Sequence, residues 1–232
     1  MKKERIYFYE MKQISLNILT TILFIALIIL TFLIKKDIKI SIDYDINLFY
    51  TTLLLIPYFI LHEILHAIGY IINGAKFKNI TFGIHLEKSV FCCSCKQNIN
   101  KKTVLWSLAF PFLFIGVVTY IIGIIFNKGI LIALSIANLS GCSGDLIMFW
   151  NFLKIKNFKF FEYDNPVGFG VITNENLENR NFWGLKQLDE KNFTQTINKK
   201  ISVSKISIII LLIYFIIIFL PIILSLLFNI EI

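Results

Sequence analysis

Three ionisable side chains lie close together in the run PYFILHEILHAIGYII, residues 57–72: His62, Glu63 and His66. Residues four apart on a helix share a face, so the imidazoles at 62 and 66 can bind one zinc ion together. The glutamate beside the first histidine is then placed to take a proton from a water that the metal polarises. The surrounding residues are apolar enough for lipid, where an ionisable side chain costs roughly 2.5 kcal/mol or more. The chain has only three histidines, and two of them are here. Three such groups at that cost point to chemistry. Two plainer readings stand beside it: polar packing between helices, and a transport or proton-relay path.

A zinc site that hydrolyses needs a third protein ligand and an open position. Asp145, within ANLSGCSGDLIMF, is the only acidic residue deep in another apolar run. His62 lies 15 residues into its run and Asp145 lies 16 into its own, and both runs cross in the same direction. At 1.5 Å per residue the two depths agree within about 2 Å, as a shared metal requires. The neighbours Ser140, Gly141, Cys142, Ser143 and Gly144 are small, which permits close helix approach or a local break in the helix. Asn138, two turns before Asp145, has two open roles: contacting a substrate or oxyanion as a catalytic residue, or bonding a neighbouring helix. Cys142 and His85 are rival ligands. The first reads more simply as a packing residue, the second as a solvated or substrate-facing group.

The elements that must hold these residues are membrane spans. The 232 residues are 56% hydrophobic, with a mean hydropathy of +0.73, beyond what a soluble domain of this length carries. Five apolar runs, about 14–34, 47–72, 103–126, 129–153 and 206–228, each exceed the roughly 20 residues needed to cross a bilayer. The MKKER start precedes a run too long for a cleaved leader, so an uncleaved anchor is expected. Of the 23 basic residues, 19 fall in the segments that are cytoplasmic if the N-terminus is inside, and 4 in the outer ones. This favours an N-in, C-out chain in the cell membrane, with Asp37, Asp43 and Asp45 outside. The net charge of +8 is therefore assigned to the lipid surface and not to nucleic acid.

The expected fold is an all-α polytopic membrane protein of five transmembrane helices, with a small cytoplasmic β-hairpin and a cytoplasmic cap. Residues 1–153 hold the first four spans and the site. Alternation over 78–95 predicts the hairpin, with LEKS as its turn. Residues 154–205 form the cap, too short to build much core of its own, and 206–232 the last span. Cys92, Cys93 and Cys95 lie in the cytoplasmic segment, where disulfides are not expected. No second Cys pair or histidine follows at metal-finger spacing, so they read as reduced thiols.

The segments HEILHAIGY, FGIHLEKSVFCCSCKQNINKKTVLWSLAFP, ANLSGCSGDLIMFW and YDNPVGFGVI, in that order, resemble the bacterial putative zincin peptidase family. The likeness covers about residues 55–175. It implies an intramembrane metalloprotease similar in logic to the site-2 proteases, with His62, His66 and Asp145 as zinc ligands and Glu63 as the base. Its substrate would be a peptide or a transmembrane protein. The chain departs from site-2 proteases in showing NLSGCSGDL where those carry Asn-x-x-Pro and Leu-Asp-Gly, so substrate choice is not transferable. Two rival functions use the same residues: a non-catalytic membrane protein with a structural metal site (a transporter partner or an immunity protein), and a zinc or proton transporter.

Overall fold

The computed structural model describes residues 4–34, 46–85, 90–162, 168–178 and 180–188. The apolar run 206–228, residues 189–205 of the expected cap, and Asp37, Asp43 and Asp45 lie outside the described residues. The chain begins with strand β1 (Arg5–Met11), then helices α1 (Gln13–Ile34) and α2 (Ile46–Ile72). Strands β2 (Ile80–His85), β3 (Val90–Cys95) and β4 (Ile99–Asn100) follow. Helix α3 (Lys101–Pro111) runs through a π-helical segment, Phe112–Val118, into α4 (Thr119–Ile125). Helices α5 (Gly129–Gly141) and α6 (Ser143–Leu153) lead to β5 (Lys159–Glu162), β6 (Gly168–Thr173) and β7 (Leu185–Leu188).

Among the described residues, three helical stretches are long and apolar enough to cross a membrane: Gln13–Ile34, Leu53–Ile72 and Lys101–Ile125. The pair α5–α6 qualifies as a fourth, bent by 48° at Cys142. The bend falls within the run of small residues, where no bulky side chain resists a change of direction. The helices are inside out relative to a soluble bundle. Ile18, Ile22, Ile25, Phe32, Phe114 and Ile125 are exposed, whereas Ser107, Ser135, Asn138, Ser140 and Ser143 are buried. Some hydroxyls bond between helices, Thr20 with Ser143 at 2.7 Å and Thr31 with Tyr120 at 2.6 Å, while Ser135 and Ser140 donate to carbonyls of their own helix.

A hairpin forms over β2 and β3, with Ile80 opposite Cys95 and Phe82 opposite Cys93. The all-α expectation needs correction elsewhere. The protein is mostly helical, but β1 and the short β4 join the segment after α6 in a five-stranded antiparallel sheet of order β4-β5-β6-β1-β7. Alternation turns Tyr7 and Tyr9 of β1 inward and leaves Ile6 exposed. They pair with Val171 and Phe169 of β6. Gly170 lies between Phe8 and Phe161, and a Cβ there would meet the Phe161 ring at 2.0 Å. The inner face packs on Phe152 at the end of α6, whose ring sits 5.0–5.5 Å from those of Phe158, Phe160 and Phe169. This aromatic cluster fastens α6 to the sheet, and α6 carries Asp145.

Candidate metal centre

The site is built from three helices. His62 and His66, one turn apart on α2, bring their ring centroids within 4.8 Å. Asp145 stands in the first turn of α6, just past the bend, where a helix N-terminus favours negative charge. Its Oδ2 is 3.3 Å from His62 Nε2 and its Oδ1 is 3.5 Å from His66 Nε2, and the two Nε2 atoms are 3.0 Å apart. All three side chains are largely shielded from solvent.

The other face of each imidazole fixes its tautomer. Asn138 is fully buried, and its Nδ2 donates to the carbonyl of Pro111 at 3.2 Å and towards Cys142 Sγ at 3.6 Å. Its Oδ1 is therefore the acceptor that meets His62 Nδ1, at 2.8 Å. His66 Nδ1 donates to the carbonyl of Ser107 at 2.9 Å, and the Ser107 hydroxyl returns a bond to the carbonyl of His66 at 3.0 Å. The Ser107 carbonyl is open to His66 because residue 111, four positions on, is a proline with no N–H to give it. The close crossing of α2 and α3 that this needs occurs at Gly69, where a Cβ would come within 2.6 Å of Ser107 Cα.

With both Nδ1 atoms donating, both Nε2 atoms present lone pairs, and they do so to one point that a carboxylate also faces. Without a cation such an arrangement is repulsive. Tetrahedral zinc at about 2.0–2.1 Å from each ligand sets neighbouring donor atoms about 3.3 Å apart. The Nε2–Nε2 separation of 3.0 Å and each imidazole's distance to its facing carboxylate oxygen, 3.3 Å to Oδ2 and 3.5 Å to Oδ1, lie near that figure. Hydrogen-bonded outer partners on metal-binding imidazoles are the general rule. The donor set His62, His66 and Asp145 therefore suits a zinc ion.

Glu63, next to His62 on α2, is partly shielded beside this set and takes a hydrogen bond from the backbone of Cys93. Cys142, the rival ligand, faces the wrong side: its Sγ lies 4.0 Å from His62 Nδ1, behind the ring. His85 ends strand β2, and its side chain lies outside the described residues. Of the two roles open to Asn138, the structure displays the inter-helix bond: it is buried, with Oδ1 on His62 Nδ1 and Nδ2 on the Pro111 carbonyl. The hairpin thiols are free, and burial raises all three above the ordinary thiol value, Cys92 to about 11. They are neutral thiols at physiological pH.

Two contributors have no motif in the sequence. Ser107 acts through its backbone; the only trace of that role is Pro111 four residues later. Glu162 of β5 accepts from the Cys95 N–H at 3.1 Å and from the Tyr70 hydroxyl at 3.4 Å, tying the sheet to the hairpin and to α2.

Two imidazoles one turn apart, a glutamate beside the first and a carboxylate from a second helix make up the donor pattern of a metallopeptidase. Residues 55–158 match the model of the family described as putative zincin peptidase, the family whose motifs the sequence resembles. The matched region holds His62, Glu63, His66, Asn138 and Asp145. No curated protein and no solved structure matches the chain.

Proposed function

We propose that this protein is a zinc-dependent intramembrane metalloprotease that hydrolyses peptide bonds of membrane-associated or transmembrane substrates. The observation that carries this reading is the pair of Nε2 lone pairs facing Asp145, with Glu63 alongside. His62, His66 and Asp145 would hold the zinc, which would supply Lewis acidity towards a carbonyl oxygen and a water. Glu63 accepts the proton released as the water attacks and returns it to the leaving amine nitrogen. Asn138 and the Ser107 carbonyl keep the two imidazoles in the tautomer and orientation that binding requires.

The membrane setting is supported by the inside-out helices and by four candidate crossings between β1 and β5. An even number of crossings returns the chain to its starting side, in keeping with β1 pairing with β6 and β7. The Glu162–Cys95 bond sets the hairpin on that side as well. The basic residues mark it as cytoplasmic, so the reading is an N-in protein of the cell membrane with its site in the cytoplasmic half of the bilayer. The fifth span, the C-out end and the division at residues 153 and 205 belong to the same proposal.

Substrate helices must unwind before cleavage, because helical amides are shielded and already bonded. The outer edge of β3 suits an extended substrate. The N–H of Cys95 points away from β2 to Glu162, and the backbone of Cys93, of the same parity, meets Glu63. A peptide added along this edge would run past the base. Phe91 shares that parity, so Phe91→Pro removes an edge donor; cleavage falls while zinc content holds. Normal cleavage in that variant dismisses the edge.

The decisive experiment is Glu63→Gln in the purified full chain. Proteolysis is lost while zinc stays bound. A variant that keeps its biological activity points instead to a structural metal site, and zinc flux into liposomes points to a transporter.

A further inference from the structure

Beyond the metal centre, the described residues enclose a groove of about 690 Å³ between α3 and α6. Leu105, Ala109 and Leu113 recur every four residues and form one stripe, about 12 Å long, down the membrane-crossing helix. Ala109 leaves a channel between its larger neighbours, and Phe149 and Phe158 make the facing wall. One end differs sharply from the rest. Lys101 and Lys102 stand there at the start of α3, and no acidic residue lines the groove. Lys101 Nζ is held against α6, donating to the carbonyls of Leu153, at 3.2 Å, and of Ile155. Lys102 is exposed and has no hydrogen-bond or ion-pair partner among the described residues. Trp106, one turn further in, is 44% exposed, at the depth where indoles sit among lipid headgroups.

A basic end, an indole one turn deeper and an apolar channel beyond match one molecule in charge and polarity. We propose that this groove binds an anionic phospholipid, with its phosphate at Lys101 and Lys102 and one acyl chain along Leu105, Ala109 and Leu113. The site lies on the side of the membrane that carries the sheet. It sits where α3 emerges, and a bound lipid would brace α3 against α6, the helices that supply the Ser107 carbonyl and Asp145. The proposal rests on α3 crossing a membrane, and does not depend on catalysis.

The test uses the purified full chain in a neutral detergent, with native mass spectrometry reading the lipid that stays bound. The probes are phosphatidylglycerol, phosphatidylcholine and free glycerol phosphate. Phosphatidylglycerol is retained about 25-fold more strongly than phosphatidylcholine, from roughly a fivefold gain for each of the two lysines near the headgroup. Lys102→Glu brings the two lipids within about twofold of each other. Ala109→Phe fills the channel and lowers retention of both; zinc content serves as the folding control, and Ala109→Leu replaces the larger residue if that control fails. Equal retention of the two lipids by the native protein, or an unchanged preference in Lys102→Glu, overturns the proposal. So does glycerol phosphate competing as well as the lipid, which marks a soluble-anion site. An alkaline wash of membranes separates the two ideas. Release of the protein overturns the membrane reading itself, whereas retention without lipid preference overturns only the groove.

Discussion

Pro111 and His66, on different helices, are linked through one carbonyl oxygen. Pro111 cannot donate to the Ser107 carbonyl, and that oxygen takes a hydrogen from His66 Nδ1 at 2.9 Å. Pro111→Ala restores the missing N–H, which then competes for the oxygen within the helix. His66 loses its fixed tautomer, and zinc affinity falls about 10- to 100-fold, the usual cost of removing an outer partner of a metal-binding histidine. A competitive zinc titration against a fluorescent chelator measures it. An affinity equal to that of the native protein denies the link.

Asn138 should behave as a positioning residue. Asn138→Leu removes the acceptor facing His62 Nδ1 and the donor to the Pro111 carbonyl. Zinc affinity drops by a similar factor, about 10- to 100-fold. Protein reloaded at saturating zinc recovers most of its turnover. A loss of turnover that saturating zinc does not repair returns Asn138 to the substrate side.

Removing a ligand is harsher than removing its support. Asp145→Ala leaves two imidazoles without their carboxylate, so the purified variant carries well under one zinc per chain by elemental analysis. In the native protein a strong chelator strips the metal and abolishes cleavage, and added zinc restores both. A full zinc complement in Asp145→Ala excludes it as a ligand.

The crossing at Gly69 carries the Ser107 carbonyl to His66, and it leaves no room for a methyl group. Gly69→Ala pushes α2 and α3 apart, lowering stability by about 1–3 kcal/mol. Because the displaced helix holds the carbonyl, zinc affinity falls together with the melting temperature. Compensating Ser107→Gly does not relieve the clash, since the nearest atoms are Ser107 backbone.

Glu162 gives the stability a pH dependence. Burial pushes its carboxyl up to about 7 from an ordinary 4.5, so folding takes up a proton between those values. The folded state is favoured least once Glu162 must ionise. Its contribution therefore declines as pH rises from about 4.5 to about 7 and is flat above that. Glu162→Gln, neutral throughout, removes this decline. Thermal melts of the two proteins from pH 5 to 8 test it: parallel curves would contradict the shift.

The sequence announces the chemistry better than the scaffold around it. His62 and His66 are legible because helical spacing alone puts them on one face, and Asp145 because span length sets its depth. The small residues at 140–144 foreshadow the bend at Cys142. The carbonyl of Ser107 is invisible, since any residue has a carbonyl and only the proline at 111 frees this one. The sheet is hidden for another reason. Residues 154–205 look too short for a core because part of it, Tyr7 and Tyr9, is encoded at the opposite end of the described chain. A seven-residue strand with a remote partner leaves little local signal beside the long apolar helix that follows it.

That remote pairing sets an order of events during synthesis. Arg5 pairs with Thr173, 168 positions later. At ribosomal speeds β1 waits roughly 10–30 s for its neighbours to emerge. Until then the sheet that packs on Phe152, at the far end of the helix carrying Asp145, is incomplete. The sheet beneath α6 is thus the last part of the described fold to close, completed only once β6 and β7 have been made.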